Sequence, residues 1–321
     1  MKYRSLLLSI ILISLSFPLC GQEILNFHMF LPNHKGALEI SLPGFEVSQI
    51  GLHPDGDEYK ITAKNPNGMY LTAFVDVAPR KGSNSAARDD SLAGLKASKK
   101  FKMDDIKLSE TKNFAVTEYI VHEYQGEKIE QKSYHVYFGG DDIWADVHMS
   151  KVDYKPEDKK LFDEVLLTLK FLPEYQPVTA DWHFIAAMFY MSKDYKNSAI
   201  YYQKVLDLEK QKPTLSTKMT RVVIDQLGMS YGISGDIDRS RQVFEYGISK
   251  DPGYPLFYYN LACGYGEQGN KDKVIEYLKE AFERKANMIK GESMPDPMTD
   301  DSFSKFVKDK DFIDAVKAMK K

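Results

Sequence analysis

The 321-residue chain is poor in cysteine and tryptophan, with two of each, and its formal net charge is only −3. A disulfide scaffold is excluded, because such scaffolds need many cysteines in a short chain. The small net charge and the scattered basic residues argue against the electrostatic footprint of a nucleic-acid-binding protein. We therefore expect no nucleic-acid partner.

Short catalytic and metal-binding motifs are also missing. The sequence has no G-x-S-x-G, no phosphate-binding P-loop, no C-x-x-C and no EF-hand loop. A G-x-G-x-x-G string occurs at Gly264, Gly266 and Gly269, but it follows no predicted strand, which a dinucleotide site requires. We expect a helix and a turn there, no cofactor, and no catalytic or metal site.

Long apolar runs are absent except at the N-terminus. Lys2 and Arg4 precede an apolar run from Leu6 to Leu15, which is the pattern of a secretion signal and is too short to span a bilayer. We predict a signal peptide over residues 1–21, with lipid attachment at Cys20 as an alternative to simple cleavage. The exported chain then keeps Cys263 as its one thiol, which suits a bacterial periplasm or cell envelope.

A repeat lies in the second half of the chain. Three positions recur 34 residues later (262 − 228, 265 − 231, 269 − 235), namely Gly228 as Ala262, Tyr231 as Tyr265, and Gly235 as Gly269. The period and these residues resemble the tetratricopeptide repeat (TPR), a pair of helices. The resemblance implies an all-α solenoid that binds other proteins and is not an enzyme.

Small and large residues at the repeat positions have a packing role. A small side chain at Gly228 or Ala262 lets the second helix of the pair come close, and Phe244 fills the space between the helices. Gly247 stands where the family has alanine, so we predict slightly looser packing there and a loss of roughly 1 kcal/mol of helix propensity.

A degenerate copy from Trp182 to Val205 extends the array. About three units are the minimum for a stable stack, so we predict TPR-like repeats over residues 179–288. Residues 289–321 are predicted to form C-terminal capping helices. Their apolar contacts are expected to be Phe303, Phe306, Phe312 and Val316.

Residues 22–172 show alternating apolar and polar residues, which predicts strands. Helices are predicted near Ala86–Lys99 and over Pro156–Lys170. The expected fold is an α+β domain with helices packed on an antiparallel sheet, and its order of elements is similar to the PsbP-like fold. A stiff linker over residues 173–178 is predicted to join it to the repeats. The predicted strands have the sequences ALEISLP, EYKITAK, MYLTAFVDVA, FAVTEYIVHEY, QKSYHVYFGG and IWADVHMSKV.

The predicted partner site is the concave groove of the repeats. Family geometry places apolar and aromatic side chains there, which suit an apolar segment of a protein or peptide partner. The alternative is that the first domain or the linker fills the groove. The predicted groove residues are Tyr190, Val222, Asp225, Met229, Ile233, Leu256, Tyr259 and Cys263.

A rival prediction places function in the first domain. His122, His135 and His148 lie on three successive predicted strands, where they could form a metal or acid–base site with acids such as Asp146. The same alternation also fits ordinary sheet positions. A further alternative is a small-molecule site beneath the loop RKGSNSAARDD.

Overall fold

The computed structural model describes residues 26–98 and 101–320. These residues divide into two compact units, 26–177 and 178–320. Residues 1–21, with the predicted signal and Cys20, lie outside the described residues. None of the helices in the described ranges combines the length and apolarity needed to cross a membrane.

The N-terminal unit is built on two antiparallel sheets. Seven strands form the larger sheet in the order β3-β4-β5-β9-β8-β7-β6, and three form the smaller one in the order β1-β2-β10. The strands are β1 (Asn26–Phe30), β2 (Ala37–Ser41), β3 (Glu46–Leu52), β4 (Glu58–Lys64), β5 (Met69–Val77), β6 (Asp104–Glu110), β7 (Ala115–Tyr124), β8 (Glu127–Gly139), β9 (Ile143–Lys151) and β10 (Lys170–Leu172).

Helices cover both faces of the larger sheet. Helix α1 (Asn84–Ser98) packs against β7 and β8. Helix α2 (Lys159–Leu166) follows a short 3-10 turn and packs on the opposite face, where the ring of Phe162 lies 4.6 Å from that of Tyr134. A sheet-rich N-terminal region with packed helices is confirmed.

The helix predicted after the last strand of the larger sheet extends beyond the end of the observed helix α2. The helix predicted over Pro156–Lys170 ends at Leu166, and Lys170–Leu172 forms strand β10 against β2. The Thr168 hydroxyl donates to the carbonyls of Val165 and Ser41, at 2.8 and 3.0 Å, which directs the chain out of the helix toward β2. This partner lies about 130 residues away, so the local pattern did not predict the strand.

The C-terminal unit consists of paired helices and a short terminal helix. The helices are α3 (Thr179–Met191), α4 (Tyr195–Gln211), α5 (Thr217–Ile233), α6 (Ile237–Lys250), α7 (Pro255–Glu267), α8 (Lys271–Glu283) and α9 (Lys310–Met319). We call α3, α5 and α7 the first helices and α4, α6 and α8 the second helices. The first helix α5 contacts both α3 and α7.

Each second helix begins in the same way. The side chains of Asp194, Asp236 and Asn270 accept a hydrogen bond from the backbone N–H three residues later, at 3.1–3.2 Å. The preceding residue has positive φ in every pair, which suits Gly235 and Gly269. In the degenerate first pair Lys193 adopts this conformation at φ 63°.

Glycines set the distance between helices. A Cβ on Gly228 would lie 2.3 Å from the Phe244 ring, which confirms the predicted small-against-large contact. The prediction of loose packing at Gly247 is wrong. A Cβ there would lie 2.9 Å from both Ile224 and Phe257, because the missing side chain lets the Phe257 ring of the next repeat contact α6 directly.

The predicted apolar contacts of the C-terminal cap are confirmed as buried. Phe303 and Phe312 are fully buried, and their rings lie 5.9 Å apart. Phe306 and Val316 are also buried, and α9 packs against α8. The cap therefore covers the last repeat with apolar side chains.

Candidate functional site

The predicted groove residues lie on the first helices, but they differ in exposure. Val222, Leu256 and Tyr259 are buried, so a partner cannot reach them without displacing other residues. The remaining predicted residues are partly exposed: Tyr190, Asp225, Met229, Ile233 and Cys263.

The C-terminal part of the chain covers some of the surface of the first helices that carries the predicted groove residues. We call residues 289–303 the C-terminal segment. The Tyr254 hydroxyl, just before α7, donates to Glu292 at 2.8 Å, and the Tyr259 hydroxyl donates to Asp300 at 3.0 Å. The Phe303 ring packs edge-on against Tyr259 with centroids 5.8 Å apart. Within the C-terminal unit, the C-terminal segment therefore lies on the groove side of α7.

Cys263 lies under the same segment. Its sulfur is 4.0 Å from a carboxylate oxygen of Asp300. Burial raises the pKa of the Cys263 thiol well above its usual value, and the negative charge of Asp300 raises it further. The thiol therefore stays protonated at neutral pH and is a weak nucleophile.

The uncovered part of the face surrounds Asp225 on α5. Its carboxylate accepts a hydrogen bond of 2.6 Å from the Asn260 side chain on α7. Burial, followed by the nearby charge of Glu292, raises the pKa of Asp225 to about 7. Met229 and Ile233 continue the half-buried surface along α5. This part of the groove combines apolar side chains with one acidic group.

Two of the three strand histidines come together in the N-terminal unit. The rings of His135 and His148 stack with centroids 4.1 Å apart. His135 Nδ1 lies 3.0 Å from the Asp146 carboxylate, and its Nε2 lies 3.2 Å from the Tyr119 hydroxyl. Burial, followed by the charge of His135, lowers the pKa of His148 to about 3.

The third histidine does not join this cluster. His122 is exposed and pairs with Glu130 at 2.7 Å. Both ring nitrogens of His135 already have protein partners, so it offers no free nitrogen lone pair to a metal ion without rearrangement. The predicted three-histidine site is therefore not assembled in the described structure.

Sequence reasoning missed a different group of potential ligands. His53, Asp55 and Asp57 place ligand atoms within 4.8 Å of one another in the exposed turn between β3 and β4. The alternating histidine and aspartates of the sequence HPDGD are the signal that could have indicated this group. Exposed groups of this kind are common in turns and bind a metal ion only weakly unless other ligands fix them.

The glycine string at residues 264–269 has the predicted structural role. Gly264 and Gly266 lie within α7, and Gly269 forms the following turn with φ 77°. A Cβ on Gly266 would lie 2.4 Å from the backbone oxygen of Ser302, so this glycine allows the C-terminal segment to approach α7.

The repeat is confirmed by comparison with protein families. The tetratricopeptide repeat family model matches residues 256–288, which comprise α7, α8 and the turn after them. No curated protein matches the chain. The matched residues show that the chain contains a TPR repeat.

Several solved structures resemble part of the chain at low similarity. MamA is 19% identical over 34% of this chain and 59% of its own, with a TM-score of 0.30. YrrB, described as a TPR protein with an unusual peptide-binding site, is 19% identical over 41% of this chain and 60% of its own, with a TM-score of 0.31. The chain thus spans less than two thirds of either protein.

A third structure is the type III secretion chaperone SycD of Yersinia enterocolitica in complex with a peptide of the translocator YopD. It is 18% identical over 44% of this chain and 91% of its own, with a TM-score of 0.31. Likenesses at this level do not bear on the ligand of the present chain.

Proposed function

We propose that the protein is an exported, non-catalytic scaffold that binds a polypeptide partner through the first helices of its TPR unit. The observation that carries this proposal is the TPR match, since such repeats expose extended surfaces for protein binding. The proposed contact surface is the uncovered part of the face: Tyr190, Asp225, Met229 and Ile233.

The proposed location is a bacterial periplasm or cell envelope. Its support is the basic start and apolar run of residues 1–21, with Cys20 as a possible lipid attachment site. The same proposal gives residues 22–172 a PsbP-like fold. It also treats residues 173–178 as the linker to the repeats. In this arrangement the N-terminal unit is an accessory domain.

A capture experiment tests the proposed surface. Met229→Asp places a charge on the half-buried face of α5, and Ile200→Asp places one on α4, where Ile200 is 53% exposed. We expect the Met229 variant to lose the partner captured by the wild-type chain, and the Ile200 variant to retain it. Capture by both variants, each folded by circular dichroism, would show that the groove is not the site. Tyr259 is unsuitable for this test because it is buried.

The second candidate is a small-molecule or metal-dependent activity in the N-terminal unit. The observation that favours it is the partly buried chain of Tyr119, His135 and Asp146, which could move a proton. Metal analysis and native mass spectrometry of the purified chain test this candidate. Stoichiometric metal or a bound small molecule that is lost in His135→Asn would support it.

A further inference from the structure

Asp225 is a half-buried acidic group that has no basic partner among the residues the structure describes. No Lys, Arg or His nitrogen lies within 4.0 Å of its carboxylate in the described ranges. The nearest candidate along the helix is Arg221, one turn earlier, but its guanidinium pairs with Asp251 at 2.7 Å. A buried carboxylate is unfavourable unless it is paired or well hydrogen-bonded, and Asn260 supplies one bond of 2.6 Å.

Other carboxylates of the repeat unit are better satisfied. Glu209 accepts hydrogen bonds from the backbone N–H groups of Thr214 and Leu215, at 2.8 and 3.0 Å. Lys271 pairs with Asp309 at 2.8 Å. Asp225 thus has neither the several hydrogen-bond donors of Glu209 nor the cation of Asp309.

The described groups that interact with Asp225 include three tyrosines, Asn260 and Glu292. Burial raises the hydroxyl pKa values of Tyr190 on α3 and Tyr202 on α4, and the charge of Asp225 raises both further, after that of Tyr190 in the case of Tyr202. Tyr254 is affected in the same way. The rings of Tyr190 and Tyr202 lie 6.4 Å apart at 77°. Tyrosine faces beside a carboxylate provide both cation–π and ionic attraction for a basic side chain.

The C-terminal segment does not satisfy this acid. At the corresponding position of the next repeat, the Tyr259 hydroxyl bonds to Asp300 of the segment. At Asp225 the segment instead brings Glu292, a second acidic group, whose charge raises the pKa of Asp225. No residue of the described C-terminal unit therefore supplies a positive charge beside Asp225.

We propose that Asp225 binds a lysine or arginine side chain of the polypeptide partner, with the half-buried ring of Tyr190 contacting the alkyl part of that side chain. This inference depends on the proposed function, because it names the chemistry of the residue that enters the same groove. A basic side chain supplies the positive charge that the described structure does not place beside Asp225. It also neutralises the repulsion between Asp225 and Glu292.

The site can be tested with n-butylguanidinium as a probe and neutral n-butylurea as its match. Because Asn260 donates to Asp225, its side-chain amide reports on the carboxylate in an NMR titration of the full chain at pH 7.5. We expect a saturable shift with butylguanidinium and affinity at least tenfold weaker for butylurea. Asp225→Asn should abolish the preference, and Asp314→Asn, at an exposed position of α9, should retain it.

The outcomes separate the site from the proposed function. Equal responses to both probes, or a preference that persists in Asp225→Asn, overturn the inference. If capture of a polypeptide depends on Met229 while butylguanidinium has no effect at Asp225, the inference fails and the proposed function stands. If butylguanidinium binds at Asp225 but Met229→Asp leaves capture unchanged, the cation site stands and the proposed function fails.

Discussion

Individual glycines and acids determine how closely the repeat helices pack and what their inner face can bind. Gly228 and Gly247 allow aromatic rings to contact helix backbone, and Asp225 places a carboxylate at the centre of the first helices. These effects come from one or two atoms each, so single substitutions test them.

Gly228→Ala should destabilise the C-terminal unit by roughly 1–3 kcal/mol, because the new methyl group would overlap the Phe244 ring. Urea unfolding followed by Trp182 fluorescence, in a Trp144→Phe background, measures this. Gly232→Ala, one turn later in the same helix, is the matched control, since a Cβ there meets only the side chain of Ser240, at 3.2 Å, and alanine is the better helix former. Equal effects at both glycines would contradict the packing account.

Asp225→Asn should stabilise the C-terminal unit, and increasingly so as the pH rises. The folded pKa of about 7 lies above the ordinary 3.8, so the folded chain binds the proton more tightly than the unfolded chain. Stability is therefore lost as the pH rises from about 4 to 7, by an amount on the order of 4 kcal/mol. The Trp182 signal across this pH range measures it. If the stability of Asp225→Asn depends on pH as strongly as that of the wild type, the pH dependence does not come from Asp225.

At the scale of elements, the C-terminal segment and α7 form one packed layer. Phe303 is fully buried against α7, and the segment covers Cys263. Residues 291–300 have no regular helix or strand, so side-chain contacts hold this stretch in place. Its docking is therefore sensitive to the loss of a single anchoring ring.

Phe303→Ala should expose Cys263 by loosening the C-terminal segment. Labelling by a thiol reagent in a Cys20→Ser background is expected to accelerate at least tenfold, because the thiol gains access and loses the carboxylate that disfavours its ionisation. Lys308→Ala, an exposed change nearby, should label at the wild-type rate. Unchanged labelling in Phe303→Ala would show that the segment does not protect this cysteine.

The larger sheet should be acid-sensitive because of His148. Its pKa of about 3 in the folded chain lies below the ordinary 6.5, so only the unfolded chain takes up a proton as the pH falls between these values. The N-terminal unit should lose about 2 kcal/mol by pH 5 from this group. His148→Phe, which keeps a ring against His135, should remove that loss. Trp144 fluorescence in a Trp182→Phe background measures it, and an unchanged pH profile would contradict the account.

The sequence predicted the elements whose contacts are local. Helix pairs follow from small and large residues three to four positions apart, and strands β2, β4, β5 and β7–β9 follow from alternation. Strand β6 was missed because it lies at the edge of the sheet and has only two apolar residues, Ile106 and Leu108, which are both exposed. The covering of Tyr259 by Asp300 was also missed, since it joins residues 41 positions apart through a segment without periodicity.

At the scale of the whole molecule, a TPR unit and a sheet-rich unit share one chain. The matched TPR repeat lies in the C-terminal unit, and the proposed scaffold function belongs to the first helices of that unit. The chain also covers part of that face itself, so the partner-accessible surface is smaller than the sequence suggested and is centred on α3 and α5.

Site-specific photo-crosslinking tests the central claim most directly. A benzophenone amino acid replaces Met229 on the proposed surface, or Ile200 on α4, in the full chain within its native cells, and the cross-linked peptides are identified by mass spectrometry. The account predicts that position 229 cross-links reproducibly to one polypeptide segment containing a lysine or arginine, while position 200 does not. Cross-links from position 229 that reach only this chain's own residues would contradict it.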